Sequence, residues 1–365
     1  MPASVIVGLS GGVDSAVAAL LLRDAGHEVQ GLYMSNWEEQ DAYCTNAQDY
    51  QDARVVAHEL GIVLHRVSFA EQYRARVFDS FLQDYRAGRT PNPDVLCNRE
   101  IKFGLCLRYA ARLGAPLFAT GHYARRADSA DGPALFQARD PGKDQSYFLH
   151  AIERASLAKV RFPLGELCKD EVRERARRAG LPVHDKPDSN GICFIGERPF
   201  AQFLERYLPG TPGSIETPEG RVLARHRGLH FYTLGQRAGL QLGGTRGCAA
   251  EPWYVAAKDP ARNALIVVQR HARHQFEARS LTVGPLHWLC TVRATPFRAE
   301  VRLRHRQPLQ AARVRPGIDG GARLEFDEPQ QAATPGQYAV LYEQGRCLGG
   351  GVILEPHIED AVRPI

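Results

Sequence analysis

In the first 200 residues, short apolar segments alternate with segments of helical periodicity. The apolar segments predict strands at 5–9, 29–34, 62–67 and 116–119. Apolar residues three or four positions apart predict helices at 13–25, 47–60 and 71–85. A polar loop at 87–98 precedes a fourth predicted helix, with Ile101, Leu105, Tyr109 and Leu113 near one face. Strands separated by such helices are typical of right-handed βαβ units, so we expect an α/β domain with a parallel sheet.

The pattern changes near residue 200. Short apolar segments at 230–232, 253–255 and 265–268 lie among many glycines and prolines. From about residue 278 the chain alternates as strands do, at 298–304, 322–326 and 338–342, followed by a predicted Gly349–Gly351 turn and a strand at 352–354. Closely spaced strands of this kind predict a small β-barrel. We therefore expect an α/β domain over 1–200, a small central domain over 201–275 and a barrel domain over 276–365.

Composition narrows the class of protein. The 365 residues are 44% hydrophobic and 24% charged, with a net charge of +5, which excludes a disordered chain and permits a nucleic-acid partner. No apolar stretch approaches the length of a membrane span, and the N-terminus lacks the pattern of a leader, so we expect a cytoplasmic protein with no membrane partner. Eight cysteines without a CxxC motif argue against a disulfide framework or a zinc ribbon.

The segment Gly8-Leu9-Ser10-Gly11-Gly12-Val13-Asp14-Ser15 joins the first predicted strand to the first helix. Glycines at this point let backbone amides fold around an anion, and the positive end of the helix points to the same place. The loop lacks the Gly-Lys-Ser/Thr ending of a Walker P-loop and the spacing of a dinucleotide fold. It resembles the pyrophosphate (PP) loop of the ATP-pyrophosphatase superfamily, which implies an adenine-nucleotide domain.

Two cysteines have unusual neighbours. Cys97 lies in the turn-rich segment 90–98 just before the fourth predicted helix, where the helix dipole favours a thiolate, and Asp94 lies three residues earlier. A buried thiol with Asp94 as a helix cap is an equally good interpretation of that segment alone. Cys193 lies where a polar, glycine-containing stretch becomes apolar, and by itself it reads as a small apolar residue. The other six cysteines have ordinary strand or helix surroundings.

Taken together, these segments closely resemble the tRNA-specific 2-thiouridylase family, the bacterial enzymes that thiolate the wobble uridine. The resemblance covers nearly the whole chain. Its landmarks are the loop at 8–15 and the segments at 90–104, 119–123, 143–149, 191–197, 233–237, 251–255, 334–337 and 347–351.

The resemblance implies a mechanism. The loop Gly8 to Ser15 would hold the phosphates of ATP, with Met34 at the adenine and Gly121 bordering the nucleotide, and Mg²⁺ would arrive with ATP. ATP would adenylate the uracil C2 oxygen. Cys193 would carry a persulfide loaded by a sulfur-relay protein and a cysteine desulfurase. Either Cys97 attacks this persulfide or the persulfide attacks the base. Release of the product would leave a Cys97–Cys193 disulfide, which must be reduced before another turnover. Asp94 would act as the acid/base partner.

The resemblance also implies contacts with tRNA. Asn92, Pro93 and Asp94, together with Lys143, Asp144 and Gln145, would lie against a flipped-out uridine and its neighbours. Arg304, His305, Gln337 and His122 are further expected contacts, and His305 stands where the family commonly has a tyrosine. Without the resemblance, 143–145 reads as a solvated loop.

One basic segment favours RNA binding without the resemblance. Seven arginines and one acid, Glu300, lie between Arg293 and Arg315, and strand alternation places 298, 302, 304 and 306 on one face. Such a face would engage phosphates. A solvated barrel exterior is the alternative, since only six of the 46 basic residues are lysines. Two further functions stay open: an ATP-pyrophosphatase acting on a small carboxylate, and a tRNA-binding protein without catalysis.

Overall fold

We describe a computed structural model of the chain, which covers residues 2–37, 46–188, 200–243 and 249–358. The first 188 residues alternate strands with helices. The strands are β1 (Ser4–Gly8), β2 (Glu28–Ser35), β3 (Leu64–Ser68), β4 (Leu117–Ala119), β5 (Arg125–Ser129), β6 (Gly132–Phe136) and β7 (Val160–Arg161). The helices are α1 (Val13–Asp24), α2 (Asn46–Leu60), α3 (Ala70–Tyr73), α4 (Asp79–Arg86), α5 (Pro93–Leu96), α6 (Leu107–Arg112), α7 (Ser146–Leu149), α8 (Arg154–Leu157) and α9 (Lys169–Arg178).

The predicted parallel sheet is confirmed, in the order β3-β2-β1-β4-β7. Side chains of β1 alternate between its two faces, so Ile6 packs into one apolar cluster while Val5 and Val7 pack into the other. The chain moves outward from β1 to β3 and then returns to the other side of β1 for β4. This reversal leaves a crevice at the carboxyl ends of β1 and β4, where ligands bind in open α/β sheets.

The loop predicted at 87–98 is wrong in its second half, because the helix already begins at Pro93. Proline suits the first helical position since its missing N–H has no partner there in any case. A π-helical segment, Cys97–Cys106, joins α5 to α6, and a second one, Arg74–Phe78, joins α3 to α4. We call the continuous stretch 93–112 the cysteine helix.

The π turns of the cysteine helix shift the phase of its buried face. Sequence periodicity predicted a face through Ile101, Leu105, Tyr109 and Leu113. The positions that are exposed by 2% or less are instead Val95, Cys97, Ile101, Phe103, Cys106 and Ala110. The five-residue step from 101 to 106 is the spacing of a π turn. Leu105, Tyr109 and Leu113 pack only at the edge of the core.

The second region contains α10 (Phe200–Glu205) and a four-stranded sheet in the order β10-β11-β8-β9. Its strands are β8 (Gly213–Glu216), β9 (Val222–His226), β10 (Trp253–Asp259) and β11 (Ala264–Gln269). Ile215, Trp253 and Leu265 contribute to its own apolar core. Phe203 and Leu204 of α10 pack instead into the core of the first region.

The predicted C-terminal β-barrel is also confirmed. Its strands are β12 (Glu277–Val283), β13 (His287–Trp288), β14 (Phe297–Arg302), β15 (Gln310–Pro316), β16 (Ala322–Gln331), β17 (Tyr338–Glu343) and β18 (Arg346–His357). Six of them close in the order β12-β16-β15-β14-β17-β18, because β12 pairs with both β16 and β18. Strand β6 adds to this sheet by pairing with β18. The divisions at 200 and 275 stay predictions.

The predicted turn at Gly349–Gly351 is wrong, because these residues lie inside β18. The turn is at Gln344 and Gly345, both with positive φ. A Cβ on Gly349 would lie 1.9 Å from the His287 carbonyl oxygen, and one on Gly350 would lie 2.6 Å from that of Ala339. The glycines therefore permit close approach of neighbouring strands.

The barrel and the first region share apolar packing. Val340, Tyr342 and Cys347 of the barrel belong to the same cluster as Ile101 and Phe118. Within the described ranges, no helix is long and apolar enough to cross a bilayer.

Candidate nucleotide site and cysteine helix

The loop between β1 and α1 is shaped to hold an anion. Gly11 has a φ of +78°, and a Cβ there would lie 2.3 Å from the carbonyl oxygen of Asp49. Gly12 precedes α1, and no side chain caps the helix N-terminus. The Ser15 hydroxyl accepts from the Ser10 amide at 3.1 Å and donates to the Gly12 carbonyl at 3.0 Å, which fixes the loop. The first amides of α1 are thus available to a phosphate group.

The other predicted nucleotide residues lie at the same sheet edge. Gly121 follows β4, and a Cβ there would lie 2.7 Å from the backbone of Asp14 and Ser15. Met34 lies near the carboxyl end of β2, where its sulfur is 3.4 Å from Cys106 Sγ. The tertiary structure therefore brings the segments Gly8 to Ser15, Met34 and Gly121 together at the crevice.

A chain of lysine–aspartate ion pairs begins at Asp14 in the loop. Asp14 accepts hydrogen bonds from the Tyr123 hydroxyl at 2.9 Å and from Lys169 Nζ at 2.7 Å. Lys169 also contacts Asp188 at 2.7 Å, and Asp188 in turn contacts Lys143 at 2.7 Å. Burial opposes ionisation of Asp188, but the hydrogen bonds from Lys143 and Lys169 outweigh it and lower the pKa of Asp188 to about 2.

A third lysine, Lys186, contacts the loop directly. Lys186 Nζ donates to the Gly11 carbonyl at 3.1 Å and pairs with Asp49 at 2.7 Å. Burial disfavours the charged ammonium, yet the hydrogen bonds that Lys186 donates to Asp49 and Asp52 raise its pKa overall. Lys186 therefore stays cationic beside the loop.

The cysteine helix carries both candidate catalytic groups that the structure describes. Asp94 and Cys97 lie three positions apart, so they share one face of the first helical turns. Cys97 is 2% exposed and lies inside the helix. The expectation that it precedes the helix N-terminus is therefore wrong, because Pro93 starts the helix a full turn earlier. Burial raises the pKa of Asp94, while the charge of Lys102 opposes the rise.

Lys102 links the cysteine helix to the nucleotide edge. Its Nζ lies 3.5 Å from Nε2 of His122, and Nδ1 of His122 lies 2.8 Å from the Thr120 hydroxyl. Burial and the charge of Lys102 lower the pKa of His122 well below its usual value. His122 is thus neutral at pH 7, and its predicted tRNA contact, if made, uses an uncharged ring.

The segment 143–145, predicted to contact tRNA, joins the first region to the barrel. Asp144 is 2% exposed and pairs with Arg302 at 2.7 Å. Gln145 exchanges hydrogen bonds with the backbone of Tyr123 at 2.8 and 2.9 Å. His305 Nε2 lies 3.0 Å from the Asp144 carbonyl oxygen, and its ring packs on Phe148. The predicted contacts of these residues with tRNA stay predictions.

The remaining predicted tRNA contacts lie at two places on the barrel side. Gln337 contacts the segment that leads to Asn92 and Pro93, where the Asn92 amide donates to Gln337 Oε1 at 3.4 Å. Arg304 donates to the Ala332 carbonyl.

The single arginine face predicted on the barrel is wrong. Strand β14 ends at Arg302, so residues 304 and 306 lie in the following turn rather than along the strand. Arg302 is buried on the Asp144 side, while Arg298 is exposed and pairs with Asp327. Arg293 and Arg315 pair with Glu343 and Glu325. Nearby acids therefore neutralise much of the charge that the sequence pattern assigned to RNA.

The cysteines separate by environment. Cys193, Cys44 and Cys248 lie outside the described residues, so the predicted Cys97–Cys193 pairing stays a prediction. Burial raises the pKa of Cys106 and of Cys347 to about 12. Two of the cysteines predicted to be structural are thus held as neutral thiols.

Sequence reasoning missed Lys102, Lys169, Lys186 and Asp188. A signal was present, because lysine is rare in this arginine-rich chain and four of its six lysines lie around the crevice. The described residues contain no cluster of histidine, cysteine, aspartate or glutamate suited to a metal ion.

Comparisons with known proteins agree along the chain. Residues 3–197 match the family described as the tRNA methyl transferase HUP domain, 201–269 the tRNA methyl transferase PRC-barrel domain, and 278–353 the aminomethyltransferase beta-barrel domain. The tRNA-specific 2-thiouridylase MnmA of Halorhodospira halophila is 52% identical over 100% of this chain and 96% of its own length. That of Methylococcus capsulatus is 53% identical over 97% of this chain and 96% of its own.

A distant structural likeness also exists. The U34-tRNA thiolase NcsA from Methanococcus maripaludis aligns with 52% of this chain and 60% of its own at 20% identity, with a TM-score of 0.35.

Proposed function

This chain belongs to the tRNA-specific 2-thiouridylase family and is a tRNA-uridine 2-sulfurtransferase, and we propose that it adenylates the C2 oxygen of the wobble uridine and replaces it with a cysteine-borne sulfur. One observation carries the proposal. The cysteine helix bears Asp94 and Cys97 at its start, and its later turns contact Met34 and His122 beside the anion loop. This arrangement supports a site in which nucleotide and thiol chemistry take place side by side.

The first step needs a site for ATP. The positive φ of Gly11 and the uncapped N-terminus of α1 together fit a pyrophosphate group, while Lys186 holds the Gly11 carbonyl in place. Met34 and Gly121 would border the adenosine. ATP supplies the adenylyl group, which turns the C2 oxygen of uracil into part of a good leaving group, AMP, and releases pyrophosphate. We propose that any Mg²⁺ arrives with the nucleotide rather than in a protein cage.

The second step moves sulfur. Cys193 would bear a persulfide, Cys193–S–SH, supplied by a sulfur-relay protein and a cysteine desulfurase. By one route the Cys97 thiolate attacks Cys193 Sγ, forms the disulfide and expels hydrosulfide, which attacks C2. By the other, the terminal persulfide sulfur attacks C2, and Cys97 then attacks Cys193 Sγ to free the thiolated base. Both routes expel AMP, form one S–S bond and need a reductant before the next cycle.

Asp94 would take the proton of Cys97. A carboxyl group whose pKa is raised by burial is a stronger base than an exposed one, which suits it to this transfer. The wobble base must leave its stack for C2 to reach the crevice, and Asn92, Pro93, Lys143, Gln145 and the barrel residues Arg304 and His305 would line its path.

One assay tests the function against its alternatives. Purified protein is incubated with α-labelled ATP, sulfide and an unmodified tRNA that carries a wobble uridine, and AMP and 2-thiouridine are measured together. We expect both in equal amounts. ADP in place of AMP would contradict adenylation. AMP without thiolated RNA would favour a small-molecule substrate, and neither product would favour a tRNA-binding protein without catalysis.

A further inference from the structure

The segment that leads into the cysteine helix is held by the barrel. The Thr90 amide donates to the Pro335 carbonyl at 2.9 Å. Nε2 of Gln337 donates to the carbonyl oxygens of Thr90 at 2.8 Å and of Pro91 at 3.2 Å. The Asn92 side chain donates to Gln337 Oε1 at 3.4 Å. One amide therefore contacts three consecutive residues just before Pro93.

The orientation of this amide follows from its partners. Backbone carbonyls only accept hydrogen bonds, so the NH₂ group of Gln337 must face Thr90 and Pro91. Both of its N–H groups are then used within the protein, and its oxygen already accepts from Asn92.

The backbone at Gln337 is equally constrained. The Gly336 amide donates to the Ile353 carbonyl at 3.0 Å, and the Ile353 amide donates to the Gln337 carbonyl at 2.8 Å. Gly336 has a φ of +92°, and a Cβ there would lie 2.9 Å from the Thr90 carbonyl oxygen. The barrel thus presents Gln337 from a fixed position and lets the loop backbone approach closely.

We propose that Gln337 is a positioning residue, which acts through the 90–92 segment to set the start of the cysteine helix and hence Asp94 and Cys97. This inference rests on the proposed function and adds a positioning role to the predicted tRNA contact of Gln337. A barrel that grips tRNA would, through this amide, also determine where the reacting groups stand.

The test separates turnover from binding. For Gln337→Ala we expect kcat for 2-thiouridine at saturating tRNA to fall about 10- to 100-fold, because small displacements of reacting groups have effects of this size. The Kd for tRNA, of which Gln337 is a predicted contact, should rise by a smaller factor than kcat falls. A Kd raised tenfold with kcat unchanged would overturn the proposal, as would no change in either quantity.

A second variant reaches the same segment without removing the amide. Gly336→Ala should lower kcat similarly, because the new methyl group displaces the Thr90 carbonyl. Gln331→Ala and Gly320→Ala are matched controls: Gln331 contacts Arg273 and Glu277, and Gly320 has a φ of +81° with no atom closer than 4.0 Å to an added Cβ. Both controls should retain wild-type kcat.

Hydrogen exchange provides a readout that needs no turnover. Amides in the 89–97 segment should exchange faster in Gln337→Ala and Gly336→Ala than in either control, and equal exchange would refute positioning. A wild-type protein that forms no 2-thiouridine would instead contradict the proposed function, so the two failures are distinguishable.

Discussion

At the scale of single residues, environment separates cysteines that the sequence shows as equals. Cys97 and Cys106 share one helix and are both buried, yet only Cys97 lies a turn from a carboxylate. Burial raises the pKa of Cys106 to about 12, so it is a neutral thiol at pH 7. Of these two thiols, only that of Cys97 is therefore expected to react.

This contrast predicts the outcome of two substitutions. Cys97→Ser should abolish 2-thiouridine formation when a desulfurase and its relay protein supply the sulfur, because both routes need the Cys97 thiolate to attack Cys193 Sγ. Cys106→Ala should retain activity. Thiolated tRNA is measured by mass spectrometry of the nucleosides. Residual thiolation in Cys97→Ser above a few per cent of wild type would refute the assigned role.

The persulfide role predicts a third result. Cys193→Ser should form no 2-thiouridine when a desulfurase supplies the sulfur, and full activity would contradict that role.

The raised pKa of Asp94 predicts that the rate of thiolation depends on pH. Because burial raises its pKa, the carboxylate that accepts a proton forms only above the ordinary range near 3.8. Thiolation should therefore rise with pH through the raised pKa. Asp94→Asn should remove this rise and most of the activity. Rates across pH 4.5 to 8 provide the measurement, and an unchanged acid limb in the variant would assign the limb to another group.

The same shift has a consequence for stability with the opposite sign. A raised pKa means that the folded state binds the proton more tightly than the unfolded chain does. Its stabilising effect is complete below pH 3.8 and is lost as the pH rises through the folded-state pKa. Asp94→Asn should thus raise the melting temperature at pH 7 while lowering activity.

At the scale of elements, the anion loop depends on one backbone conformation. Gly11→Ala should weaken ATP binding at least tenfold, because it combines a strained φ with a methyl group 2.3 Å from the Asp49 carbonyl. Gly26→Ala is the matched control, since Gly26 has a φ of +81° and open space around it. Titration with a labelled ATP analogue measures both. Equal losses would show that backbone strain alone, not the close contact, controls the loop.

At the scale of the whole molecule, a buried ion pair joins the barrel to the first region. Asp144 also accepts from the Ala138 amide and the Ser146 hydroxyl, and Arg302 lies over the ring of Tyr342. Breaking such a pair on one side leaves a buried charge without its partner, which typically costs more than the intact pair contributes.

Arg302→Ala should accordingly destabilise the protein by about 3–5 kcal/mol. Adding Asp144→Asn should recover part of this loss, because a neutral amide needs no opposite charge. Arg298→Ala should leave stability near wild type, since its pair with Asp327 is exposed to solvent. Denaturant unfolding of the four proteins measures the differences. A double variant no more stable than Arg302→Ala would show that the charge of Asp144 is not the cause.

The periodicity of the sequence was sufficient to predict helices and strands where neighbouring residues alone decide the structure. Strands β1 and β2 and helices α1 and α2 begin and end within one or two residues of their predicted limits. The short strands β5, β6 and β7 gave no periodic signal, since two to five residues carry too few positions to show alternation. Gly349–Gly351 reads as a turn but lies in a strand, because only the packing of His287 and Ala339 reveals why side chains are excluded.

The amino-acid sequence by itself determined the family, the α/β-then-barrel order, the anion loop and the candidate cysteines, since these depend on residue types at fixed spacings along the chain. Only the tertiary structure decided that Arg302 pairs with Asp144 instead of facing solvent, and that lysines lie around the loop. It also decided that Gln337 binds the segment before Pro93. Those contacts join residues 100 to 250 positions apart. No local pattern encodes them, because they form only when distant parts of the chain pack together.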